Sequence, residues 1–186
     1  MISVTALLLP ALLSAVLVFI VSSLVHMVTP WHAGDFQRLP NEDGVLGALR
    51  PFNLSPGQYV APRPASMKDM GTPEFQAKVK LGPSLMMNVM PTGQAGMGQQ
   101  LVLWFLYNIV VALFAGYVTS KALQAGAAYI VVFKFVAAIA FAANSIALWQ
   151  MSIWYRRPWV VTLKSTIDGV VYACLTAGAF GWLWPR

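Results

Sequence analysis

The chain has 186 residues, 58% of them hydrophobic and 10% charged, with a formal net charge of +6. A soluble domain carries about a quarter charged residues, so this composition excludes an ordinary water-soluble enzyme and points to a membrane protein. The basic residues are scattered along the chain and do not gather into one face, which excludes nucleic acid as a partner and leaves orientation in a bilayer as their role.

A helix needs about 20 apolar residues to cross a hydrocarbon core of roughly 30 Å. Four stretches reach that length, and backbone groups in lipid must bond within their own segment, so each is read as an α-helix. The expected fold is therefore all-α, with four transmembrane helices and a long, proline-rich, mostly irregular extramembrane segment between the first two. The first span covers residues 1–28 and carries no charge unless His26 is protonated. Pro10 should kink it or sit in its first turns. It has no positive amino-terminal region, and its apolar run is too long for a cleaved signal peptide, so it is read as a true span.

Residues 29–100 are a different material, holding nine of the twelve prolines. A connector of this length is functional or disordered more often than passive. Two short helices are legible in it. One, near 41–50, follows Pro40, has Glu42 and Asp43 in its first turn and stops at Arg50 before Pro51. The other, near 72–80, has Thr72 as cap, Pro73 at the first helical position, and Glu74 four residues before Lys78. Ser55-Pro56-Gly57 reads as a turn leading into an extended stretch over 58–65. The methionine- and glycine-rich stretch over 82–98 is expected to lie on a membrane surface or against a partner. The whole segment should be ordered but thin, a cap more than a domain with its own core.

The remaining spans fall at 101–120, 128–154 and 165–184 and form a three-helix unit over 101–186. Small residues recur every four positions along the last of them: Ser165, Gly169, Ala173, Ala177 and Gly181. The second repeats the spacing with Asn108, Ala112, Gly116 and Ser120, and the third is alanine-rich from Ala137 to Ala147. Residues four apart share a helix face, and small ones let backbones approach closely, so these three spans should pack tightly together. The first span, with bulkier Leu and Val faces, is expected at the edge or against a partner. Cys174 is the single cysteine, which excludes an internal disulfide and a multi-cysteine metal site.

Basic residues set the expected orientation. Segment 29–100 holds six and 155–164 holds Arg156, Arg157 and Lys164, whereas the other side keeps Lys121, Arg186 and the amino terminus. Both segments are therefore expected in the cytoplasm, with the termini outside. Most basic residues of the long segment lie far from the spans, so the short Arg-Arg loop carries this assignment. Trp154, Tyr155 and Trp159 near it, and Trp182 and Trp184 at the far end, suit aromatic belts at the two interfaces.

Charge inside a span costs roughly 3 kcal/mol at mid-bilayer, which makes each case a functional hypothesis. Lys134 can snorkel from its position about 10 Å inside its span. Asp168 follows Lys164 by four residues, and an ordinary contact within one helix would explain that pair. The sharper alternative places Asn144 level with Asp168, Asn108 about one turn further in, and His26 at the same interface, as one polar cluster for a ligand or proton. His26, His32 and Asp35 are the only constellation of catalytic residue types. His32 and Asp35 can touch in a turn and orient an imidazole, but no nucleophile motif accompanies them. Two histidines without paired carboxylates or cysteines fall short of a zinc site, so no metal and no cofactor are expected, and no phosphate loop or dinucleotide fingerprint is present.

Several phrases go together: Leu39-Pro40-Asn41-Glu42-Asp43 before Ala48-Leu49-Arg50, then Leu54-Ser55-Pro56-Gly57-Gln58-Tyr59, then Pro91-Thr92-Gly93-Gln94 before Met97-Gly98. With the ending Asp168-Gly169…Tyr172…Thr176-Ala177-Gly178…Gly181-Trp182-Leu183-Trp184-Pro185, they resemble a family of uncharacterised small bacterial membrane proteins of similar length. The resemblance implies the same four-span layout with a long first loop, set in a bacterial inner membrane; it implies no activity and no site residues. The functional expectation is thus a non-catalytic accessory or assembly subunit, with the bilayer and a protein partner or a second copy as its contacts. A small oligomeric transporter or channel using Asp168, Asn144 and Asn108, and a cofactor-binding protein or enzyme using His26 and His32, are the alternatives.

Overall fold

The structure is a computed structural model that describes residues 2–93 and 96–186, so Met1, Ala95 and the closing Gln94 of the Pro91-Thr92-Gly93-Gln94 phrase lie outside it. It is mostly helical, with four segments long and apolar enough to cross a membrane: Val4–Val28, Gly98–Ala122, Tyr129–Tyr155 and Trp159–Leu183. That is the architecture of a multi-pass membrane protein. The chain divides into two units, one of Met1–Gln37 with Gly96–Arg186 and one of Arg38–Ala95.

In the first unit, Ser3 caps an opening 3-10 turn, Val4–Leu7, by accepting the Ala6 N–H. Helix α1 (Leu8–Ser23) follows, with Pro10 in its first turn, where a missing N–H leaves no helical bond unmade. The span ends in a π turn, Leu24–Val28, which carries His26. Ser22 and Ser23 both donate to the Phe19 carbonyl and Thr29 donates to the Val25 carbonyl. Hydroxyls that bond those carbonyls compete with the regular ladder, which gives a local reason for the wider turn.

Helix α4 (Gly98–Ala122) runs back, and α5 (Tyr129–Asn144), a 3-10 turn (Ile146–Leu148) and α6 (Trp149–Tyr155) make the third span. The continuous helix expected over 128–154 is therefore interrupted at Ser145. Helix α7 (Trp159–Leu183) begins at Trp159, not Ser165, and shortens the Arg-Arg connection to Arg156, Arg157 and Pro158. Hydropathy alone placed its start too late because Lys164 lowers the apolar signal of its first turns.

The small-residue stripes form the contacts between helices. Gly169, Ala173 and Ala177 are buried on α7, Ala112 and Gly116 on α4, and Val132, Val136 and Ala140 on α5, while Ser165 and Gly181 are half-buried. Helix α1 corrects the expectation of an edge position. It packs against α4 and α7 through Ala11, Ser14, Ala15, Val18 and Ser22, while Leu8, Leu9, Leu12, Val16 and Ile20 face outward. Lipid is as apolar as leucine, so small residues and not hydrophobicity mark the packed face.

Two glycines are required by close approach. A Cβ at Gly116 would overlap the fully buried Phe180 ring, and one at Gly169 would overlap Ser145 Oγ. Ser145, wholly buried with Oγ 3.4 Å from the Thr166 carbonyl, is thus the point where the third span presses on α7. We expect Gly169→Val to destabilise the protein by about 1–3 kcal/mol in denaturant titration in detergent, as overpacking does. Adding Ser145→Gly should return part of that loss, because the two residues compete for one space.

The apolar core, from Leu7 and Ala11 through Val132 and Val136 to Phe180 and Trp184, lies toward the end of the bundle where α4 turns into α5. There Trp184 Nε1 donates to the Gln124 carbonyl at 3.0 Å and Gly126 N–H donates to Pro185 at 2.8 Å. The opposite end, where α1 finishes and α7 begins, is the polar one.

The second unit holds α2 (Glu42–Leu49), β1 (Gly57–Ala61), α3 (Pro73–Leu81) and β2 (Leu85–Val89). The two short helices lie where expected, with Asn41 accepting from Gly44 N–H and Thr72 from Phe75 N–H at their N-caps. The strands pair antiparallel, Gly57 opposite Val89 and Ala61 opposite Leu85, which corrects the all-α, mostly irregular reading of this segment. No tight turn joins them; a helix lies between, so the local hairpin signal is missing. None of its described residues is fully buried.

Candidate functional site

The π turn at the end of α1 leads through Thr29 into a 3-10 turn, Pro30–His32, that Thr29 caps. Residues 29–37 then lie along the first turns of α7 as a strap. Trp31 Nε1 donates to Asp168 Oδ1 at 3.1 Å, and His32 Nε2 meets Asp168 Oδ2 at 2.8 Å. His32 Nδ1 meets Asp35 Oδ2 at 2.6 Å. Lys164 Nζ donates to Asp35 Oδ1 at 2.8 Å and to the Trp31 carbonyl at 2.7 Å. The ordinary Lys164–Asp168 contact within one helix is thus replaced: Lys164 serves the strap, and Asp168 holds His32 and Trp31.

Two carboxyl groups, Asp35 and Asp168, stand against the one ammonium of Lys164, and both are shielded from water, with side chains 7% and 8% exposed. Burial pushes the Asp35 carboxyl up, but the hydrogen bonds and charges of Lys164 and His32 outweigh it and hold that carboxyl below its ordinary value. His32 has a carboxyl group at each ring nitrogen. His26 stacks on it, ring centroids 4.2 Å apart and planes 14° from parallel, with Nδ1 3.0 Å from the Ser22 carbonyl.

Beside the cluster is a cavity of about 690 Å³ with walls from all four spans. His26 and Asp168 border it, together with Ser22 on α1, Trp104 and Tyr107 on α4, Asn144 on α5 and Tyr172 on α7. Trp104 organises one wall: its Nε1 donates to Ser22 Oγ at 2.8 Å, and its ring stacks on Tyr107 and meets Tyr172 edge-on. Asn144 Oδ1 and Tyr172 OH are buried without a partner in the protein. Orphans of this kind cost about 1–3 kcal/mol each; both atoms are closed off from the open space of the cavity, so a bound molecule recovers that energy only when the wall shifts to admit it. Much of the rest of the lining is apolar, including Met27, Met97, Leu101, Ala143, Ala147 and Leu148.

Of the residues singled out in the sequence, the structure brings together His26, His32, Asp35 and Asp168, and places Asn144 on the same cavity. Asn108 stands apart: it is buried on α4, its Nδ2 donates to the Trp104 carbonyl, and it does not line the cavity. Lys134 is exposed and belongs to no part of the site. Sequence reasoning missed Trp31, Tyr172 and Trp104. The indole of Trp31 lay unremarked in a loop, and the two cavity aromatics read as ordinary span residues. Comparison of the chain with protein-family models, with curated proteins and with solved structures returns no match in any of the three.

Proposed function

We propose that this is a small-molecule-binding protein of a bacterial inner membrane. Its ligand is a neutral amphiphile with a hydroxyl-bearing head, held between the four spans at the Arg156–Arg157 end, which the basic loop directs to the cytoplasm. One observation carries the reading: a cavity of about 690 Å³, within the ~300–1,000 Å³ usual for ligand sites, is bordered by two residues with orphaned buried polar atoms. Tyr172 OH supplies a donor. Asn144 supplies an acceptor, because its Nδ2 already donates to the Ala140 carbonyl at 2.8 Å. A hydroxyl satisfies both kinds of partner, whereas a carboxylate head would meet Asp168.

The accessory-subunit expectation rested on the absence of a catalytic motif together with dense helix-packing faces. Of these two grounds the second is taken up within the chain, where Gly169, Ala173, Ala177, Ala112 and Gly116 are buried. That leaves the cavity as the feature still in want of an occupant.

Thermal unfolding in a short-chain detergent tests the proposal with two probes of one chain length, a long-chain alcohol and the matching fatty acid. The alcohol should raise Tm by about 4 °C near saturation, and the acid less. Tyr172→Phe should weaken alcohol binding about fivefold, the worth of one hydrogen bond. Equal shifts for both probes, unchanged in Tyr172→Phe, would refute it.

A further inference from the structure

We infer that His26, His32 and Asp168 form a binding site for one divalent transition-metal cation of the zinc class, with Asp35 as the carboxylate that orients His32. Their ligand atoms all lie within 4.8 Å of one another, from two parts of the chain more than a hundred residues apart. The inference stands apart from the cavity ligand, and either can fail without the other.

Three features separate this cluster from an ordinary polar contact. The first is the contact that backs each imidazole. His26 is anchored through Nδ1 on the Ser22 carbonyl, and His32 through Nδ1 on Asp35 Oδ2. His32 Nε2 already meets Asp168 Oδ2, and His26 has Nε2 to turn toward the same point. Metal-bound histidines nearly always give their other ring nitrogen to a carbonyl or carboxylate, which fixes tautomer and ring orientation. The second is support behind those groups. Lys164 holds Asp35 from its other oxygen, and Trp31 Nε1 holds Asp168 Oδ1, so Asp168 Oδ2 is the oxygen left for the cation. The third is charge. Two carboxyl groups, 7% and 8% exposed, face the one ammonium of Lys164, an excess of oxygen ligands over cations that suits a bound metal ion.

Two histidines and one carboxylate make the three-ligand set of open zinc sites, and the cavity bordered by His26 and Asp168 lies beside the open position. Tetrahedral bonds of about 2.1 Å put ligand atoms about 3.4 Å apart, so His32 Nε2 and Asp168 Oδ2, now 2.8 Å apart, must open by about 0.6 Å while His26 draws in from within 4.8 Å. Parallel stacked rings cannot both contain one ion in their planes, so one ring must turn. His26 is that ring: it is exposed and has only its Nδ1 contact with the Ser22 carbonyl to loosen, whereas His32 is fixed at both nitrogens.

The test uses the full chain without an affinity tag, stripped with chelator in detergent and titrated with Co²⁺, then with Zn²⁺ in competition. The wild type should take up one equivalent of Zn²⁺ by elemental analysis, and Co²⁺ should give the visible d–d bands of a tetrahedral nitrogen–oxygen site. His26→Ala leaves the His32–Asp168 bridge intact and should fold normally, yet lose the bands and bind Zn²⁺ at least about 100-fold more weakly. Asp35→Asn should keep the bands and weaken binding about 10- to 100-fold, as changes to such orienting groups do. Loading well below one equivalent in folded wild type, or equal affinity in wild type and His26→Ala, overturns the inference.

Discussion

Asp168→Ala should release the strap over 29–37 from α7 and destabilise the protein by about 3 kcal/mol. Removing one member of a buried pair strands the other, and His32 would face an apolar gap while Trp31 lost its acceptor. The figure is the lower end of the range for buried pairs, because His32 is 13% exposed and water can reach it. Hydrogen exchange should show the loss locally, at the Ala33 and Asp35 amides that now donate to Pro30 and His32 carbonyls. Asp168→Asn keeps an oxygen for Trp31 and should fall between wild type and alanine. Asp43, exposed on α2, is the control whose substitution should change neither observable. Unchanged exchange over 29–37 in Asp168→Ala would mean that other contacts hold the strap.

The second large effect is steric. Ala147 lies on the 3-10 turn, borders the cavity and is exposed, so an indole there can enter open space without displacing the buried core. Ala147→Trp should therefore fold with a Tm within about 2 °C of wild type, since surface changes usually stay within 0.5 kcal/mol. It should abolish the alcohol-induced shift in Tm, a loss of affinity of about 10-fold or more for 1.4 kcal/mol of displaced contact. Binding that survives this substitution would place the probe elsewhere, on the lipid-facing surface of the bundle.

The four spans were legible because length and hydropathy suffice to recognise a bilayer-crossing helix, and the stripe on α7 because glycine and alanine every four residues mark a face. Leucine and alanine on α1 carried the same message less openly: its small face, Ala11 to Ser22, packs inward while Leu8, Leu9 and Leu12 face outward. The break at Ser145 had no propensity signal, since its cause is the approach of Gly169 from another helix. The strands of the second unit were hidden because their partners are separated by a helix. In the site, His32 and Asp35 could be paired from spacing alone. Their link to Asp168 could not, because it depends on where the strap crosses α7. The assignment of Lys164 to Asp168 failed for the same reason: two acids compete for that ammonium, and the strap brings the nearer one.

The central claim, a cavity that holds a specific amphiphile, is tested most directly by mass spectrometry of small molecules extracted from the protein after mild purification from its own membrane. The account predicts one hydroxyl-bearing, uncharged amphiphile near one per chain in the wild type, and its loss in Ala147→Trp. Bulk membrane lipid in both proteins, in the proportions of the membrane itself, would contradict it.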